Sequence, residues 1–316
     1  MALSLDQYIL EHLPKRGLPW PAMPKVEAVK AKPHVGRLPV KAVLWNVYGT
    51  LLAIPTGELQ FEAAIDFVTD AALDKTIQEF KMWNSMSRKP GAPAAYMKEL
   101  FKKALTNLKL MGSGSERHPE VLCERIWDDI VKKLMLKDYV VDAATYGTHE
   151  EFCRKIAYFY HASIQGCGAY AGATAAIRCL GDAGKVQGLL ADGQCFTAAQ
   201  LNKCLCAQES NFPMENYLPA KLRLISSDLK AKKPSETIFK AAVAVMASRG
   251  IAPSEVLHVG SSISRDIVPA KKAGFRTALF AGDKVSLAAT GEQLKDPAAR
   301  PDLLLTELTQ ITELLA

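Results

Sequence analysis

The stretch that decides the fold is Ala42-Val43-Leu44-Trp45-Asn46-Val47-Tyr48-Gly49-Thr50-Leu51-Leu52. A short apolar, β-rich run ends in a polar residue and a Gly-Thr turn, the pattern of a buried strand delivering a side chain to the carboxyl edge of a sheet. Further runs of this kind occur at Gln187 to Leu190, Leu222 to Ile225, Val256 to Val259 and Thr277 to Phe280, with Asp302 to Leu305 as a candidate sixth. Helical stretches lie between them: Ala171 to Gly184, Ser235 to Ser248 and Ile267 to Ala273, several ended by glycine. Alternating strands and helices predict an α/β protein with a doubly wound parallel, Rossmann-like sheet.

Between the first run and the second, residues 59–167 are helical in character, far more chain than a crossover needs. Segments Gln60 to Met82, Ala94 to Leu110, Pro119 to Leu136 and His149 to Ala162 carry i, i+3, i+4 apolar spacing, broken by Pro90, Gly91, Pro93 and Gly112 to Gly114. This predicts an inserted helical cap, with residues 41–58 and 168–316 forming the core. Residues 1–40 hold one short helix, Leu5 to Leu13, followed by Pro14, Pro19, Pro21, Pro24, Pro33 and Pro39. That proline density predicts an irregular arm, laid over the core through Trp20. No internal repeat is evident.

Composition narrows the class. Of 316 residues, 49% are apolar and 23% charged, as in ordinary soluble globular proteins. The net charge of +6 is spread over solvated helix faces around Lys102, Lys132 and Lys230, which argues against nucleic-acid binding. Seven cysteines show no CxxC pair and no histidine at zinc-ligand spacing, so reduced thiols and a cytoplasmic setting are expected. No apolar run approaches the roughly 18 residues of a membrane span, and no signal peptide is readable.

In an open parallel sheet, ligands bind just beyond the strand ends at the switch in strand order. Four segments fall there: 45–52 above, Leu190-Ala191-Asp192-Gly193, Lys233-Pro234-Ser235-Glu236, and Val259-Gly260-Ser261-Ser262-Ile263-Ser264-Arg265-Asp266. In order and position, with a cap-sized insertion after the first, they resemble the motifs of the haloacid-dehalogenase (HAD) superfamily, close to its L-2-haloacid dehalogenase and phosphatase branch. The resemblance covers residues 41–316.

It implies a covalent hydrolase whose first-motif aspartate attacks carbon or phosphorus. Asn46 stands at that position, and an amide oxygen carries no full charge to drive the attack. Tyr48 replaces the phosphatases' second aspartate, as in the dehalogenases. Ala191 replaces the hydroxyl of the second motif, and Asp192 stands where dehalogenases carry asparagine. Lys233 matches the third-motif lysine; the reading as a solvated member of the Lys230, Lys232, Lys233 cluster stays open. Ser261 replaces a fourth-motif aspartate, Asp266 remains, and Ile263 departs from the dehalogenase asparagine. Gly49, Thr50, Ala191, Asp192, Ser261 and Ser262 are the implied substrate-binding positions, and Asn46, Tyr48, Lys233 and Asp266 the catalytic ones.

Magnesium prefers octahedral oxygen coordination with one or two carboxylates, so no metal is expected unless Asp266 and Asn46 suffice. Asp266 is expected to accept from Lys233 or to cap its own helix. His258, within an apolar run, reads as a packed core histidine. His118, His149 and His161 lack a Cys or Ser partner at a diagnostic spacing, and Cys195 reads as a buried inert thiol. Two functions follow. One is a catalytically impaired protein serving as an anion sensor or protein-interaction module, with a small phosphate or carboxylate held between Lys233, Ser262 and the 46–49 loop. The other is an active phosphatase- or dehalogenase-type hydrolase using Asp192, Asp228 or water.

Overall fold

A computed structural model describes residues 2–86, 92–112 and 114–315, apart from the side chain of Asn84. Six parallel strands form the core sheet: β1 (Ala42–Trp45), β4 (Val186–Ala191), β5 (Arg223–Ile225), β6 (Val256–Gly260), β7 (Arg276–Phe280) and β8 (Leu303–Leu305), in the order β5-β4-β1-β6-β7-β8. The candidate sixth strand is thus real. The central strand β1 is buried along its whole length, as a parallel strand covered by helices on both faces requires. Its neighbours β4 and β6 put their carboxyl ends beside Asn46. The sheet strand stops at Trp45, before the expected Val47, so Asn46 sits on the loop.

A second ribbon, too short for its pattern to be read in sequence, pairs β2 (Leu52–Ala53) antiparallel with β3 (Gly168–Ala169). It ties together the two chain segments that lead into and out of the cap.

The cap is built on helices Asp66–Glu79, Pro93–Met111, Cys123–Met135 and His149–Ile164. Two of them are shorter than the apolar spacing predicts. The first begins at Asp66 rather than Gln60 and gives way at Lys81 to left-handed backbone. The third begins at Cys123 rather than Pro119, because 119–120 are drawn out into pairing with the core: Pro119 bridges Ala231, and Glu120 N donates to Lys230 O at 3.2 Å. Tertiary pairing overrides helix periodicity here. The expected breaks at Pro90 and Gly91, and Ser113 of the 112–114 break, lie outside the described residues.

The arm departs from expectation in what it covers. Residues 5–15 are helical, with a π-helical middle turn Tyr8–His12, and bury Tyr8, Ile9 and Leu13 in the cap's apolar cluster beside Phe80 and Phe152. Trp20 packs edge-on against Phe159 at 5.3 Å, under the Lys75 ammonium 3.6 Å from its ring, with Lys203 of the core helix Thr197–Gln208 at 5.8 Å, so it lies mainly on the cap, at its seam with the core. The chain then crosses the cap's exit linker, where any Cβ on Gly166 would lie 2.1 Å from Ala22 O. It reaches the sheet edge as His34, whose N–H and C=O pair with Leu304 of β8. No helix among the described residues is long and apolar enough to cross a membrane.

If the arm helix is an integral part of the cap core, Ile9→Ala should cost about 2–5 kcal/mol, the range for a fully buried aliphatic truncation. Urea unfolding followed by tryptophan fluorescence checks this. A shift below about 0.5 kcal/mol, typical of surface changes, would show the arm to be peripheral.

Candidate functional site

The site is organised by Lys233. Its side chain is buried at the carboxyl edge of the sheet, 2% exposed, so the solvated reading is excluded. An ammonium has three protons to place. Nζ donates to Asn46 Oδ1 at 2.9 Å, to Leu190 O at 3.4 Å and, in the closest contact, to Asp266 Oδ1. All three are therefore taken within the chain. The Asn46 amide is oriented by the same network, with Nδ2 donating to Tyr48 O at 2.9 Å.

Asp266 is equally committed. Oδ2 accepts from Ser261 N at 3.1 Å and Ser262 N at 3.0 Å, while His258 Nε2 lies 3.2 Å from Oδ1. The carboxylate folds back over Gly260, where a Cβ would lie 2.2 Å from Asp266 Cγ, so only glycine fits. Burial alone would raise the Asp266 pKa, but Lys233 and the His258 contact together hold it well below the ordinary carboxylate range. Asp266 does not cap its helix; Ser262 does, accepting from Arg265 N at 3.3 Å. His258 is a core histidine as expected, its Nδ1 donating to Leu44 O at 3.0 Å, yet its other nitrogen belongs to this network. Burial lowers its pKa against the pull of Asp266.

A cavity of about 140 Å³ opens above this cluster, lined by Asn46, Tyr48, Lys233, Asp266 and Asp192 among the anticipated residues. Gly49, Thr50, Ala191, Ser261 and Ser262 do not line it. Thr50 Oγ1 is buried with no hydrogen-bond partner among the described residues. Gly49, at φ 78°, closes the turn so tightly that a Cβ would lie 2.8 Å from Ser261 Oγ. The Tyr48 hydroxyl turns away into bonds with Gln200 Oε1 (2.6 Å) and Thr197 Oγ1 (3.1 Å), and burial raises its pKa far out of reach of acid catalysis. Asp192 accepts from Lys233 N at 2.7 Å; burial raises its pKa, opposed by Lys233. Asp228 lies outside the lining.

The rest of the lining was not anticipated: Glu58, Glu120, Gln194, Lys232 and Arg265 among others. Glu120 comes from the cap, in the segment whose spacing resembles helix. Its Oε2 accepts from Ser226 Oγ at 2.6 Å and its Oε1 from Gln194 Nε2 at 3.3 Å, which pins the cap to the helical turn Ser226–Leu229 and the loop after β4. Burial pushes its pKa up to about 7, with Asp192 adding and Ser226 opposing.

The lining bears on what the cavity could hold. An anion between Lys233, Ser262 and the 46–49 loop would meet a lining in which Glu58, Glu120, Asp192 and Asp266 stand beside Lys232, Lys233 and Arg265. Of the groups expected to hold it, Lys233 Nζ and Ser262 N are already bonded within the chain. Magnesium does not fit the donor set either. Both Asp266 oxygens accept from protein groups, and Asn46 Oδ1 faces an ammonium.

A family model for HAD-hydrolase-like proteins matches residues 230–311. No curated protein matches the chain. Among solved structures, the 2-haloacid dehalogenase from Pseudomonas syringae pv. Tomato DC3000 is similar over 87% of this chain and 98% of its own, at 17% identity and a TM-score of 0.55. A HAD phosphatase from Thermococcus onnurineus is similar over 88% of this chain and 98% of its own, at 18% identity and a TM-score of 0.46. The sheet order and the first of these likenesses show the fold.

Two outcomes are expected. Asp266→Asn leaves a buried ammonium without its counter-charge and should cost about 3–5 kcal/mol in chemical unfolding; a loss under about 1 kcal/mol would mean the pair is dispensable. Because the Asp266 pKa is depressed, its contribution is present above the unfolded value of about 3.9 and is lost as pH falls below it. Glu120 runs the other way. Raised in the folded state, it stabilises fully below its unfolded pKa, and the contribution fades as pH rises through about 7. Melting curves of Glu120→Gln should therefore gain on the parent protein between pH 5 and 8, by on the order of 2 kcal/mol. A pH-independent difference would remove Glu120 from this role.

Proposed function

We propose that this chain, a HAD-like hydrolase fold with a helical cap, is a catalytically impaired member that acts as a protein-interaction module. The observation that carries this reading is the saturation of Lys233, whose ammonium protons all go to acceptors of the chain itself. HAD chemistry needs a carboxylate nucleophile and free donors for the anionic substrate. Here an amide occupies the first role, and Asp266 takes up the strand-end N–H groups that could serve the second. An anion would have to displace Asp266 from Lys233 and leave a buried carboxylate unpaired, a cost of several kcal/mol. The interaction role is supported by the surface of the cap, where Phe67, Leu110, Met111, Leu136 and Val140 are each more than three-quarters exposed.

A second reading, an active hydrolase with a non-standard nucleophile, is favoured by one observation: Asp192 lines the cavity. Its carboxylate already accepts the Lys233 N–H and lies among other acids, which weakens it as an attacking group.

The purified protein is expected to show no magnesium-dependent hydrolysis of an aryl phosphate and no chloride release from 2-chloropropionate above a no-enzyme control. Turnover abolished by Asp192→Asn would establish the second reading in its place. Asn46→Asp alone should give little phosphatase activity, since Ser261 leaves the metal site incomplete and Tyr48 cannot protonate a leaving group. Robust turnover from that single change would show that the remainder of the site is still competent.

A further inference from the structure

Two thiols and a carboxylate meet where the cap joins the core, beside the cavity and not in its lining. Cys123 and Glu124 open the cap helix Cys123–Met135, and Cys195 belongs to the loop after β4. One ligand atom from each lies within 4.8 Å of the others, and Cys123 Sγ is 3.6 Å from Glu124 Oε2. Bonds of about 2.0–2.3 Å at tetrahedral angles put zinc ligands about 3.5–3.8 Å apart, so little movement is needed to seat an ion. The scaffold is already sewn together: Cys123 N donates to Gln194 Oε1 at 2.9 Å, and Gln194 Nε2 donates to Val121 O at 3.0 Å.

We propose that Cys123, Glu124 and Cys195 form a binding site for a zinc-class divalent cation that staples the cap to the core. Two thiolates and one carboxylate are a donor set suited to zinc, and the half-buried Cys195 and Glu124 leave a fourth position open to water. Binding replaces two S–H bonds by two metal–sulfur bonds and releases both protons to solvent, while Glu124 supplies a carboxylate oxygen. Glu124 also separates this site from a plain thiol pair. A carboxylate beside two thiols opposes their ionisation unless a cation joins them, whereas a disulfide would have no use for it. The proposal does not depend on whether the cavity turns over a substrate.

The test is a titration of reduced, EDTA-treated, full-length protein with cobalt(II) chloride. The expected result is a near-ultraviolet thiolate-to-cobalt band that saturates at one equivalent and is bleached by zinc chloride. Cys195→Ala and Glu124→Gln should each weaken it more than about a hundredfold, beyond the roughly 10–100-fold that loss of an outer-shell partner costs. Zinc should also slow amide exchange at 120–124 and 193–196 together, as a staple across the seam requires. Cys153→Ala is the control, because Asp128, His149 and Cys153 form a second cluster of cation-binding side chains on the cap surface. The proposal is overturned if reduced protein gives no thiolate band, if the band survives Cys195→Ala in a variant with unchanged circular dichroism, or if Cys153→Ala abolishes it. Should Cys195→Ala fail to fold, an unaltered band in Glu124→Gln overturns it equally. Air oxidation to a Cys123–Cys195 disulfide, with no cobalt band in the reduced protein, would make the pair a redox couple instead.

Discussion

The structure depends on one buried ion pair. Lys233 and Asp266 are each 2% exposed, and neither charge could be buried alone without a cost of several kcal/mol. Such a pair is tolerable only where every remaining proton and lone pair is matched, and here they are: Asn46 and Leu190 complete the ammonium, and Ser261 N and Ser262 N complete the carboxylate. The partners come from the ends of β1, β4 and β6, so the network also fixes how these three strands finish. Low local dielectric makes the matched network strong and any rearrangement of it costly. The ammonium protons and the two strand-end N–H groups are thereby all bonded within the chain.

The cap follows the same logic of internal satisfaction. Glu120 reaches from the cap into the cavity and bonds Ser226 and Gln194, and Glu116 reaches Ser235 and Thr237. Backbone pairing of 118–120 with 230–232 adds polar ties that a mobile lid would have to break at every opening. The arm adds a brace, with one end in the cap's aromatic cluster and the other on the edge strand β8. Cap, linkers and core are thereby held as a connected body.

The fold was legible in the sequence because parallel strands buried on both faces are short apolar runs, and all six expected runs are strands. Lys233 and Asp266 were legible as partners from the order of the motifs. What escaped were matters of side-chain direction and of distant contact. Whether Thr50 or Ser262 faces a cavity depends on how the loop after each strand curls, which residue type does not encode. Glu120 lies in a segment whose apolar spacing reads as helix, and only its pairing with Lys230 draws it out straight. Trp20 is drawn mainly to the cap, whose Phe159 and Lys75 offer its ring the closer partners. The i, i+4 spacing of His149 and Cys153 was present in the sequence, but Asp128, which completes that cluster, comes from another helix.

The central claim is that the Lys233 ammonium is saturated from within and is not held ready for an anion. It is tested most directly by lysine side-chain nitrogen–proton NMR, with Lys233 assigned through Lys233→Arg. The account predicts a protected, slowly exchanging ammonium resonance whose shift does not move on titration with inorganic phosphate, with or without magnesium. A Lys233 signal that exchanges rapidly with water, or that shifts saturably with phosphate, would contradict it.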